Sequence, residues 1–244
     1  MKGRREAGEK AGEKPVGDRG AAEEIQSIPT MQCRAILFDL DGVLVDSREC
    51  IELIWHGWAA ERGLDAADFL RVAHGRRIAE TLRLVAPQLD AAAEAAVLDA
   101  MEEVETRGLR AAPGAAGLLR QLSEAQRAIV TSGSRAVATL RLRTAGLPIP
   151  GVFVTAGDVK QGKPDPEGYL LAASRLGVAP SDCVVVEDSP PGVAAGKAAG
   201  MRVIAVLTTY PAAALSGADA RLGALAGLQV RPAAPGLLGL SVDF

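Results

Sequence analysis

The chain has 244 residues, 48% of them hydrophobic and 23% charged, the balance of a globular protein and far from disordered or collagen-like compositions. A formal net charge of −3 lacks the basic excess that neutralises a nucleic-acid backbone, so nucleic acid is not an expected partner. The length suits one domain, or a core domain carrying a smaller insertion, and the 3% aromatic content leaves the core to Ala, Val, Leu and Ile.

Residues 1–30 carry six basic and six acidic side chains and no apolar run of the kind a secretory signal needs, which predicts a solvated, disordered tail. The first strand-length apolar run is Ala35–Phe38, and Asp39-Leu40-Asp41-Gly42 follows it directly. From Ser47 to about Ala112 there is no convincing strand but much Ala, Leu and Glu, which predicts a helical insertion, with Trp55 and His56 packed inside it. Pro113-Gly114 then makes a turn or hinge.

Beyond that point apolar runs and helical spacing alternate. Strands are predicted at Ala128–Thr131, Val152–Thr155, Cys183–Val186 and Val203–Val206, and helices at Ala115–Glu124, Ser134–Ala145, Glu167–Arg175 and Gly192–Ala199. The alternation argues for an α/β fold with a doubly wound parallel sheet. The stretch from about Leu215, rich in Ala, Gly, Leu and Pro, is expected to complete the edge of that sheet. No charge-free apolar segment reaches about 18 residues, so no membrane span is predicted. Cys33, Cys50 and Cys183 are widely spaced and odd in number, which points to buried free thiols and a cytoplasmic location.

In an open parallel sheet, ligands bind beyond the carboxyl ends of the strands, so the polar residues just after the apolar runs carry most weight. Asp39 and Asp41 stand two apart after the first strand, although an Asx-type turn uses the same residues. Thr131-Ser132-Gly133-Ser134-Arg135 offers hydroxyls and N–H groups at a helix start and suits an anion, while Ser134 also reads as a simple helix cap. Lys163 lies between stiffening residues in Gly162-Lys163-Pro164-Asp165-Pro166. Glu187 and Asp188, adjacent at the end of the most hydrophobic strand, repel each other unless a hard divalent cation sits between them.

These four loops, in this order, resemble the motifs of the haloacid-dehalogenase superfamily. The longer strings Asp-Gly-Val-Leu-Val-Asp-Ser at 41–47, Val-Thr-Ser-Gly-Ser at 130–134 and Val-Val-Glu-Asp-Ser-Pro-Pro-Gly-Val at 185–193 resemble its sugar and polyol phosphatase branch, which includes β-phosphoglucomutase-like proteins. The resemblance implies a Rossmann-like core at 31–46 and 112–244 and a small helical cap at 47–111. It implies Asp39 as the nucleophile forming an aspartyl phosphate, Asp41 as general acid and base, and Ser132 and Lys163 as holders of the phosphate. Mg²⁺ would be held by Asp39, the main-chain carbonyl of Asp41 and Asp188, with Glu187 ligating or orienting from beside it. Gly133, Ser134 and Arg135, with His74 and Arg76 of the insertion, are the candidate substrate-binding residues.

The expected substrate is a small phosphorylated sugar or polyol, with no membrane and no obligate protein partner. A sugar phosphomutase uses almost the same loops and is the alternative reading. A dehalogenase is disfavoured because it has no use for Asp41 as an acid.

Overall fold

The computed structural model describes residues 31–242, so the tail expected over 1–30 lies outside the described residues. The described chain opens with β1 (Met31–Cys33) and β2 (Ala35–Phe38) and turns through β3 (Val45–Asp46). Four helices follow, α1 (Arg48–Glu61), α2 (Ala66–Ala73), α3 (Ile78–Val85) and α4 (Ala91–Glu102), before β4 (Arg110–Ala111) returns to pair antiparallel with β3. The predicted alternation comes next: α5 (Ala115–Gln121), β5 (Arg127–Val130), α6 (Arg135–Thr144), β6 (Phe153–Val154), α7 (Glu167–Leu176), β7 (Cys183–Glu187), α8 (Pro190–Ala198) and β8 (Arg202–Val206). The chain ends in β9 (Ala220–Leu222), β10 (Leu228–Ala234) and β11 (Leu237–Val242).

Six strands form one parallel sheet in the order β6-β5-β2-β7-β8-β9. Helices cover both faces, so β2, β5 and β7 are buried along their whole length and are apolar apart from Arg127 at the start of β5 and Glu187 at the end of β7. Successive side chains point to opposite faces. Ile36, Phe38, Ile129, Val184, Val186 and Ile204 pack with Leu118 and Leu119 of α5 and Leu142 of α6. Leu37, Val130, Val185 and Val203 pack on the other face with Tyr169 and Ala172 of α7 and Val193 of α8. The fold is the α/β architecture expected from the alternation.

Two expectations need correction. Only β9 completes the edge of the parallel sheet, while β10 and β11 join β1 in a separate antiparallel sheet ordered β1-β11-β10. In β11 Leu238 and Leu240 are buried alternately, but β10 buries only Leu228; Ala, Gly and Pro are poor strand formers, and Pro232 is tolerated because β10 lies at an edge. His56 is exposed rather than packed, because it falls on the outer face of α1 while Trp55 and Trp58 face inward. No helix among the described residues is long and apolar enough to cross a membrane.

The helical insertion has its own aromatic centre. Trp55 stacks on Phe69 at 5.3 Å between centroids, and Trp58 meets Phe69 edge-on at 5.1 Å. Trp58 is fully buried and its indole N–H donates to Glu94 Oε2 at 2.8 Å, tying α1 to α4. Trp58→Ala should therefore cost about 3–5 kcal/mol in urea unfolding, with Trp58→Phe between it and wild type; a loss below about 1 kcal/mol would mean that the insertion does not depend on this cluster.

Candidate active site

Three neighbouring strands of the sheet, β5, β2 and β7, end side by side, and the polar residues singled out in the sequence leave from those ends, except Lys163, which comes from the loop after β6. Asp39 follows β2 directly, and its N–H donates to Val186 O at 2.9 Å, which extends the pairing with β7 by one step. The chain then turns tightly, with the N–H groups of Leu44 and Val45 both donating to Leu40 O at 2.9 Å. Gly42 has φ +79°, and a Cβ there would run into the Asp188 carboxylate, so this turn and the fourth loop interlock through a glycine.

Lys163, from the loop between β6 and α7, lies buried beneath Asp39. Its ammonium donates to Asp39 Oδ1, to Glu187 Oε1 at 2.6 Å and to Val130 O at 3.2 Å. Glu187 is buried and fully engaged. Its Oε1 also accepts from the Tyr169 hydroxyl at 3.0 Å, and its Oε2 accepts from the N–H groups of Asp188 (2.9 Å) and Ser189 (3.0 Å) and the Ser189 hydroxyl (2.9 Å). Gly192 at the start of α8 is obligatory for this arrangement, since a Cβ there would overlap the Glu187 carboxylate.

One ammonium thus faces three buried carboxylates. Oxygens of Asp39, Glu187 and Asp188 lie within 4.8 Å of one another. Burial, reinforced by Glu187 and Asp41 and opposed by Lys163, pushes Asp39 up to about 8. Burial next to Glu187 and Asp39 holds Asp188 well above the usual carboxylate range, against a hydrogen bond from the Thr209 hydroxyl. Burial alone would lower Lys163, but Asp39 and Glu187 hold its ammonium well above the ordinary value. A hard divalent cation with oxygen ligands suits this donor set, because it would relieve the excess negative charge that now favours the protonated acids.

Asp39 and Asp41 both line a cavity of about 210 Å³ between the sheet edge and the helical insertion. Ser132, Gly133 and Ser134 line it from the core, and His74 and Arg76 line it from the insertion. Ser132 Oγ donates across to Gly75 O at 2.8 Å, and Ser134 caps α6 by accepting from the Val137 N–H at 3.3 Å. Burial lowers His74 below the usual imidazole range. Arg135 does not join them. Its guanidinium pairs with Asp158 at 2.8 Å, donates to Phe153 O at 3.0 Å and lies over the Phe153 ring, which turns it from the cavity toward β6.

Some residues of the site were not singled out in the sequence. Arg141 of α6 is buried, donates to Asp41 Oδ2 at 2.7 Å and lies 3.1 Å from Glu102 of α4. Burial opposes its charge, yet Asp41 and Glu102 raise it further above its ordinary value. Tyr169 and Thr209 complete the hydrogen bonding of Glu187 and Asp188. An arginine amid the apolar positions of α6 is the one available sequence signal for Arg141; Tyr169 and Thr209 have none.

The sequence profile of the haloacid dehalogenase-like hydrolases matches residues 33–200. The chain is 50% identical over 181 residues to hexitol phosphatase A of Escherichia coli K12, covering 72% of this chain and 84% of that protein. It is 36% identical to glycerol-1-phosphate phosphohydrolase 2 of Saccharomyces cerevisiae, over 74% of this chain and 77% of the relative. Among solved structures, a hydrolase of the same family from Deinococcus radiodurans, crystallised with phosphate and sodium, is 36% identical with a TM-score of 0.60, covering 80% of this chain and 92% of that one. The fold and its acidic sheet edge are those of a hydrolytic enzyme. The chain belongs to the haloacid dehalogenase-like hydrolases.

The Gly192 contact gives a test of how the acidic cluster is built. Gly192→Ala should lower stability by about 1–3 kcal/mol, although alanine is the better helix former, because the added methyl displaces Glu187. A thermal unfolding midpoint equal to or above wild type would show that Glu187 has room to move.

Proposed function

We propose that this enzyme is a Mg²⁺-dependent phosphomonoesterase that hydrolyses a small sugar or polyol phosphate through an aspartyl-phosphate intermediate. The observation that carries the reading is that Asp39 and Asp41 share one cavity wall while buried Lys163, Glu187 and Asp188 surround Asp39 from within the core. The activities named for hexitol phosphatase A and glycerol-1-phosphate phosphohydrolase 2 support the choice of substrate class. We read residues 47–111 as a cap over a core formed by 31–46 and 112–244, and the three free, buried cysteines fit a reducing compartment such as the cytoplasm.

Asp39 attacks phosphorus, and the bond from phosphorus to the leaving oxygen breaks as Asp41 delivers a proton to that oxygen. Asp41 then takes a proton from water, which attacks the same phosphorus and restores the Asp39 carboxylate. Arg141 fixes Asp41 by Oδ2, leaving Oδ1 without a partner for this proton traffic. Lys163 balances charge beside Asp39, and the Ser132 hydroxyl holds a phosphate oxygen once it turns from Gly75 O. Asp39, Asp188 and the main-chain carbonyl of Asp41 would hold Mg²⁺, whose charge lets an anionic carboxylate approach an anionic ester. Glu187, with five hydrogen bonds already accepted, orients its neighbours. His74 and Arg76 face the substrate from the cap, where they help to select it. A mutase would need a grip for a second phosphate, and Arg135 is committed to Asp158 and Phe153 instead.

Two outcomes follow for the purified enzyme. Chelation should abolish phosphate release and added Mg²⁺ restore it; Mg²⁺ at about 100 times its Kd should also stabilise the fold by about 2.7 kcal/mol, an effect lost in Asp188→Asn. Full turnover in excess chelator would sink the metal assignment. The two first-loop acids should differ in kind: Asp39→Asn should abolish phosphoenzyme formation from every ester, whereas Asp41→Asn should lose about 10²–10⁴ in rate on alkyl esters and far less on aryl esters, whose leaving group needs no full proton. Phosphoenzyme trapped from Asp39→Asn would reverse the roles.

A further inference from the structure

Among the described residues, the buried side-chain polar atoms without a hydrogen-bond partner are Asp41 Oδ1, Arg77 Nε, Thr81 Oγ1, Arg127 Nε, and Arg141 Nε and Nη2. All except Arg127 Nε belong to residues that line the cavity beside Asp39. Folded chains pair nearly all such atoms, so their concentration at one cavity is not a packing accident. Thr81 of α3 is 0% exposed and Arg141 of α6 is 3% exposed, so bulk solvent does not serve them. Glu102 of α4 stands against Arg141 at 3.1 Å, too poorly aimed to satisfy its Nη2.

The unpaired set mixes both polarities. Arg141 only donates, Thr81 does either, and Asp41 Oδ1 is reserved for the leaving group's proton. A ligand hydroxyl, which donates and accepts at once, complements Arg141 and Thr81, whereas an alkyl or aryl group leaves them stranded. Arg141 is also flanked by the carboxylates of Asp41 and Glu102, so its charge is already answered and its remaining value to a ligand is directional.

We propose that Thr81 and Arg141, the latter backed by Glu102, are the specificity-determining residues that recognise hydroxyls on the ester's carbon chain, so that the enzyme selects polyhydroxylated phosphate esters over alkyl or aryl ones. The inference rests on the phosphomonoesterase reading above and assigns that site residues on α3, α4 and α6 in addition to His74 and Arg76.

The test measures phosphate release by the full chain with Mg²⁺ on a hexitol phosphate, n-hexyl phosphate and p-nitrophenyl phosphate. In wild type, kcat/KM for the hexitol ester should exceed that for the hexyl ester by at least about tenfold, because a site built to pair hydroxyls rejects the analogue lacking them. Thr81→Val, nearly isosteric, should lower that ratio by about tenfold, Thr81→Ser should restore most of it, and Arg141→Lys should lower it as well. A wild-type ratio near one, or a ratio unmoved by Thr81→Val, overturns the inference and leaves the phosphatase reading intact. Release of phosphate from none of the three esters removes the phosphatase reading itself, and this inference with it.

Discussion

An ammonium buried among carboxylates organises this molecule. Taking Lys163 and its partners out of water carries a desolvation penalty of several kcal/mol per ion, so the charges persist only where geometry brings them into direct contact. Lys163 reaches Asp39 beyond β2, Val130 O at the end of β5 and Glu187 at the end of β7, and Glu187 in turn engages Tyr169 of α7. Three strands and a helix are thereby tied to one nitrogen. One cation among three acids leaves the site with an excess of negative charge.

The sheet makes that convergence possible. Parallel strands all finish at the same edge, and the adjacent positions of β5, β2, β7 and β8 bring loops distant in sequence within one side chain's reach. Small residues let the loops interlock: Gly42 gives room to the Asp188 carboxylate and Gly192 to that of Glu187. The four-helix insertion closes the remaining side and contributes most of the cavity wall, from α1, α3, α4 and the loop around His74.

Much of this was legible from residues 35 to 206, because fully buried parallel strands advertise themselves as short apolar runs and the polar residues after them mark the functional edge. Asp39, Asp41, Ser132, Lys163, Glu187 and Asp188 stood out by that logic, and the structure brings them to one edge of the sheet. Arg135 stood out too, but sequence position could not reveal that Asp158 and the Phe153 ring lie on its other side. Arg141 was hidden for the opposite reason. Its partners Asp41 and Glu102 are distant in the chain and belong to other elements, so only the packed structure shows that a helical arginine is buried between two acids. The terminal sheet was missed because Ala, Gly and Pro dilute the alternation of β11 and because β10 buries only its first residue.

The insertion meets the core largely through main-chain carbonyls. Ser132 donates to Gly75 O, Arg77 donates to Val159 O at 2.9 Å and Lys160 O at 3.0 Å, and the Tyr210 hydroxyl donates to Arg71 O at 3.3 Å. A carbonyl is the same chemical group whatever side chain its residue carries. Lys160 and Arg71 can thus change without loosening the joint, provided the backbone path is kept. Apart from the Arg141–Glu102 ion pair, the joint thus depends on the backbone path of these acceptors, and a lineage can vary the side chains around it while inheriting unchanged the polar edge of the sheet.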